Sequence, residues 1–116
     1  MTDLIEVKQS TKRVYISGPM TGFPDFNYPA FNAAAADLRA AGVHVENPAE
    51  NPKPPCGTWL GFMRLAVAQI SHCDYVVTLP GWAESRGARV EVELAQGLGL
   101  PVKPLPEFIR IIELWS

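Results

Sequence analysis

The chain has 116 residues, is 47% hydrophobic and carries a formal net charge of −2. That length fits one domain with a modest core, and the apolar content excludes a disordered chain. Ten Lys and Arg stand against twelve Asp and Glu. The basic residues are scattered from Lys8 to Arg110, which excludes a nucleic-acid polymer as partner, because binding a phosphate backbone needs clustered cations.

Residues 1–12 read as a polar leader without the apolar stretch of a signal peptide, and residues 13–116 as one domain. No apolar run approaches the ~20 residues of a membrane-spanning helix, so no membrane partner is expected. Arg13 to Ser17 (RVYIS) is β-branched and aromatic, and reads as the first strand, stopped by Gly18-Pro19. After a loop to Asn27, either Asn27 or Tyr28 is placed to cap a helix with Pro29 in its first turn. Phe31, Ala34, Ala35, Leu38 and Ala41 give that helix an apolar face, and Gly42 sits where a left-handed cap belongs. Val43 to Glu46 reads as the second strand. The loop of residues 48–57 holds Pro48, Pro52, Pro54 and Pro55, too many prolines for a central strand.

Thr58 is placed to cap a second helix with Phe62, Leu65, Ala66, Gln69 and Ile70 on its inner face. Tyr75 to Leu79 (YVVTL) has the continuous apolar pattern of a strand buried on both faces. A third helix is expected from Ser85 to Leu98, a fourth strand from Pro101 to Leu105 and a last helix from Glu107 to Trp115. Strand and helix alternate four times. This predicts a three-layer α/β sandwich, Rossmann- or flavodoxin-like, around a short, mostly parallel sheet of four to five strands. Ligands of such sheets bind beyond the carboxyl ends of the strands. Cys56, Cys73, His44 and His72 lack metal-ligand spacing, so neither a metal nor a cofactor is expected, and the cysteines are read as reduced thiols of a cytoplasmic protein.

The third helix carries two acids with different surroundings. Residues three and four apart share a helix face. Glu93 has Arg89 in reach and is expected to pair with it in solvent. Glu91 has Gly87, Ala88, Leu94 and Ala95, small or apolar and without a cation. Its carboxylate is therefore either beside a cavity or paired from elsewhere in the fold. Gly81, Ser85 and Gly87 lead into this helix, whose free backbone N–H groups suit an anion, although Ser85 in the same place is also an ordinary helix cap. Ser17, Gly18, Pro19, Met20 and Gly22 form either a tight turn or a loop whose backbone approaches a ligand. Trp82 is suited to stacking on a base or packing on a neighbouring subunit. Asp74 orders a loop or touches the ligand.

Taken together, Tyr15 to Gly22 (YISGPMTG), Asn27, Phe31, Asn47-Pro48-Ala49-Glu50, Cys73-Asp74, Leu79 to Trp82 (LPGW), Ser85, Gly87-Ala88, Glu91 and Ala95 resemble a small family of phage and bacterial proteins. That family is in turn similar to the nucleoside 2-deoxyribosyltransferases. The resemblance spans about residues 13–105. It implies an enzyme of the N-glycosidic bond of a nucleoside or nucleotide, with Glu91 as catalytic nucleophile on the anomeric carbon of the sugar. It further implies substrate contacts from Ser17, Gly18, Pro19, Met20, Asn27, Gly81, Trp82, Ser85 and Gly87. Relatives that hydrolyse nucleoside 5′-monophosphates carry a serine six residues before the nucleophile, where Ser85 stands, which favours a nucleotide. The relatives also carry an aspartate eight residues before the position of Asp74. Here it is Ala66, which leaves Asp25 or Glu84 to protonate the leaving base, or else a protein that binds a nucleotide without turning it over. Because the core is small and similar enzymes complete their pockets across subunits, a homo-oligomer, a dimer, is expected.

Overall fold

The computed structural model describes residues 12–54 and 57–114. Residues 1–11 of the polar leader, Cys56 and Trp115 lie outside these residues. Four strands form the centre of the fold: β1 (Arg13–Ser17), β2 (His44–Glu46), β3 (Tyr75–Thr78) and β4 (Val102–Pro104). They pair in the order β2-β1-β3-β4, and every pairing is parallel. Four helices return the chain between and after them: α1 (Tyr28–Ala40), α2 (Trp59–Ile70), α3 (Arg86–Gly97) and α4 (Leu105–Glu113).

Strand alternation divides the core into two layers. Val14, Ile16, Val77 and Leu79 pack with Phe31, Ala34, Ala35 and Leu38 of α1 and with Phe108 and Ile112 of α4. Tyr15 and Val76 point the other way, onto Met63, Ala66 and Ile70 of α2 and Ala95 of α3. The result is the expected α/β sandwich, with four strands and helices on both faces. Strand order reverses between β1 and β3, and in open α/β sheets ligands bind beyond the carboxyl ends of the strands at such a point.

Local sequence accounts for most element ends. Thr58 caps α2 by accepting from the Gly61 N–H, and Ser85 caps α3 by accepting from the Ala88 N–H. Gly42 takes φ +93° after α1, the left-handed conformation expected there. Asn27 precedes α1 but makes no cap with its side chain; its Nδ2 instead donates to the Pro19 carbonyl at 2.9 Å. The inner face of α2 is Gly61, Met63, Ala66 and Ile70, whereas the expected Phe62 is exposed. This helix is apolar on nearly every side, so periodicity alone does not choose its buried face.

The Asn47-Pro48-Ala49-Glu50 motif builds the turn after β2. Asn47 is buried; its Oδ1 accepts from the Ala49 N–H at 3.1 Å and its Nδ2 donates to Asn32 Oδ1 at 3.0 Å. Glu50 accepts two hydrogen bonds from Arg39 on α1, at 2.7 and 2.9 Å, and the guanidinium holds its carboxyl below the usual range. Cys73 is a buried free thiol pushed up to about 12, chiefly by burial. Among the described residues no helix is long and apolar enough to cross a membrane.

Candidate functional site

Ser17 and Thr78 are paired partners at the carboxyl ends of β1 and β3. Over this end of the sheet lies α3, and its Glu91 points down onto β1. Tyr15 Oη donates to Glu91 Oε2 at 2.9 Å, and Ser17 Oγ donates to Glu91 Oε1 at 2.6 Å. Both donors are fully buried, and Glu91 itself is 9% exposed. Among the described residues no cation lies within salt-bridge distance of Glu91. Of the two environments open to it, Glu91 is therefore paired from elsewhere in the fold, by hydroxyls and not by a positive charge.

Such surroundings set its ionisation. Burial penalises the charged carboxylate and pushes Glu91 up to about 7; the hydrogen bonds from Ser17 and then Tyr15 pull it partly back. The Tyr15 hydroxyl is driven up as well, first by its burial and then by the adjacent carboxylate. A carboxyl that is half ionised near neutrality can take or give a proton, and its ionised form is a nucleophile. Perturbed groups of this kind concentrate at functional sites.

The helical-face division between the two acids appears directly in the structure: Glu91 is buried and Glu93 exposed. Glu93 does not pair with Arg89, however. Arg89 Nη1 donates instead to the Ala83 carbonyl at 2.9 Å, in the turn that leads into α3. Gly87, one turn before Glu91, leaves little room above it: a Cβ there would sit 3.3 Å from Met63 Sδ and 3.6 Å from Trp59 Nε1. Gly18 lies against Leu79, where a Cβ would come within 2.9 Å of the Leu79 Cβ. Gly81, at φ +88°, packs beside Pro19 and thereby ties the loops after β1 and β3 together.

The other expected site residues make the following contacts within the fold. Ser17 spends its proton on Glu91, and Ser85 accepts from the Ala88 N–H at 3.2 Å as the α3 cap. Met20 packs against the α1–α4 core layer. Trp82 is half-buried in a short 3-10 turn (Trp82–Glu84), and Asn27 braces the first loop through Pro19. Ala66 is buried in the second core layer. Asp74 accepts from the Arg13 N–H at 3.0 Å and orders the start of β3. Tyr15 is the functional side chain that sequence reasoning missed. Its signal was a polar tip on an otherwise apolar strand, two residues before Ser17 and so on the same face.

The loop after β1 carries backbone strain. Asp25, Phe26 and Asn27 have φ of 52°, 53° and 62°, three consecutive non-glycine residues in the left-handed region. Each costs about 1–2 kcal/mol there. Asn27's bond to Pro19 and a Phe26–Tyr28 ring contact at 6.0 Å help to hold the loop in this form. Two surface concavities lie away from Glu91. One, of about 220 Å³, runs from Glu46 and Asn51 to His72. The other, of about 340 Å³, is an apolar trough between α2 and α3. Among the described residues no group of three or more His, Cys, Asp or Glu side chains is placed to hold a metal ion.

A family model described as a domain of unknown function, DUF4406, matches residues 12–104. No curated protein matches the chain.

Proposed function

The chain belongs to the DUF4406 family, and from the geometry of its site we propose that it works on the N-glycosidic bond of a nucleoside or nucleoside 5′-monophosphate, with Glu91 as nucleophile. The observation that carries this reading is the buried Glu91 carboxyl. Two hydroxyls, and among the described residues no cation, hold it near the carboxyl ends of β1 and β3, where strand order reverses. A purely structural acid in that position would be expected to have a cationic partner, since burying an unpaired charge is costly. The resemblance to the nucleoside 2-deoxyribosyltransferases supports the same assignment.

In this mechanism one oxygen of ionised Glu91 forms a bond to the anomeric carbon as the carbon–nitrogen bond breaks. The bonding pair leaves with the base, which takes a proton from water or from an acid on the neighbouring loops. A water oxygen, or the nitrogen of a second base, then attacks the same carbon and releases Glu91. The negative charge stabilises the oxocarbenium character of both transition states. Tyr15 and Ser17 orient the carboxylate and oppose the rise that burial imposes on its pKa. A 5′-phosphate suits the first N–H groups of α3, which precede the intrahelical ladder, beside the Ser85 hydroxyl.

The test is base release from a panel of nucleosides and nucleoside 5′-monophosphates by the wild type and by Glu91→Ala. Release by the wild type and its loss in the variant is the expected result. No release across the panel, or release that survives the substitution, would sink the proposal. A second reading, nucleotide binding without turnover, draws on two observations. Ala66 is a core residue where relatives carry an acid, and hydroxyls are the hydrogen-bond partners of Glu91. Under this reading, nucleotides raise the melting temperature while no base appears.

A further inference from the structure

Helix α2 has a composition that its packing does not explain. Arg64 is its only charged residue (WLGFMRLAVAQI). A helix so apolar is normally covered on all sides. Here the core covers only Gly61, Met63, Ala66 and Ile70. Leu60 remains 52% exposed, Val67 40% and Trp59 38%. They are not scattered singly. Trp59, Leu60, Met63, Arg64 and Val67 line one trough of about 340 Å³, whose far wall is the exposed Val90 of α3. Sites for small molecules begin at about 300 Å³ and are mostly apolar with a few placed polar groups. The trough has that size and that make-up.

Charge indicates what it holds. Arg64 is the only ionisable residue in the lining. A second guanidinium stands at one end of the trough: Arg86 lies 3.8 Å over the ring of Trp59. That stacking holds the cation in place. Arg86 is four residues before Val90 and so shares its face of α3. Among the described residues neither arginine has a carboxylate or hydrogen-bond partner for its side chain. An apolar strip beside two unpaired cations is complementary to a molecule with an apolar body and an anionic head. Guanidinium groups hold such heads through paired, charge-assisted hydrogen bonds. Size favours a small molecule over a protein segment. Six residues line the trough, whereas a standard protein interface engages about 20–30 residues a side.

We infer that the trough between α2 and α3 is a binding site for a small amphipathic anion, an aromatic or aliphatic acid. Its apolar body lies on Leu60, Val67 and Val90, and its head pairs with Arg64 in the field of Arg86. Met63 adapts to the shape of the body, as an unbranched thioether does. The site is separate from the carboxyl proposed as nucleophile, since Glu91 is not in its lining. It therefore does not depend on the proposed activity.

Fluorescence titration tests it with two probes that share one ring system. Anilinonaphthalene sulfonate carries an acid, and phenylnaphthylamine is the same body without it. The proteins are wild type, Arg64→Glu and Val67→Glu, each checked for native fold by circular dichroism. The wild type should bind one sulfonate per chain, and the uncharged probe at least tenfold more weakly. Arg64→Glu should weaken the sulfonate about tenfold or more, as loss of a charge-assisted hydrogen bond does, and leave the uncharged probe unaffected. Val67→Glu should abolish binding of both. Arg64 is exposed, so the comparison of the two probes decides the question even if Val67→Glu fails to fold. A wild type that binds no sulfonate, sulfonate binding indifferent to Arg64→Glu, or equal affinity for the two probes would overturn the inference. So would a wild type that sediments as an oligomer and excludes the sulfonate, which would give the trough to a second copy of the chain.

Discussion

Replacing Glu91 by glutamine should make the protein more stable at alkaline pH, and the size of the gain can be worked out. The Glu91 carboxyl is raised from its ordinary value of 4.5 to about 7, mainly by burial. Between those two values the folded chain keeps a proton that the unfolded chain has released. Stability therefore falls as pH rises through this window and levels off above about 7. Each pH unit is worth about 1.36 kcal/mol, so the burden on the wild type above the window is about 3 kcal/mol. The substituted amide would carry no charge, occupy nearly the same volume and still accept from a hydroxyl. Urea unfolding from pH 4.5 to 8.5 is the assay. The Glu91→Gln variant should lose the wild type's downward slope and be more stable by up to about 3 kcal/mol at pH 8. Parallel pH profiles for the two proteins would refute the reasoning, because they would mean that the carboxylate is not desolvated. The gain in stability should come with loss of activity, the usual trade at a functional site.

Three further outcomes follow from the same contacts. If ionised Glu91 is the nucleophile, base release should rise with pH through about 7 in a pH–rate profile; an acid limb near 4.5 would contradict this. Tyr15→Phe removes a donor to that carboxylate, so the acid limb should move to higher pH, and denaturant melts should show a loss of about 1–2 kcal/mol. Asn47→Ala should lower stability by a similar ~1–2 kcal/mol while leaving kcat unchanged, since Asn47 braces a turn and does not touch Glu91.

Where one element's local pattern determined a feature, the sequence was a sound guide. The period of α3 alone separates Glu91 from Glu93, and the structure buries the first and exposes the second. The caps at Thr58 and Ser85 and the left-handed turn at Gly42 are equally local. Features that need two distant segments were not visible. Tyr15 and Glu91 are 76 residues apart, and nothing in β1 says which helix its polar tip will meet. The hydrogen bond from Ser17 to Glu91 likewise joins residues 74 apart, and the glycine-rich loop after Ser17 gives no sign of it. The buried face of α2 was misread at Phe62 because a helix apolar on every side has no period to follow. The same composition becomes informative only when the structure shows how much of that helix is left uncovered.

The most direct measurement of the central claim is the mass of the Glu91 peptide during turnover. Wild-type protein incubated with a substrate found in the panel is quenched in acid, digested and mapped by mass spectrometry. The account predicts a sugar adduct on the peptide that contains Glu91, formed as base is released and absent from Glu91→Gln. Base release with the Glu91 peptide unmodified, or an adduct that persists at another residue when Glu91 is replaced, would contradict it.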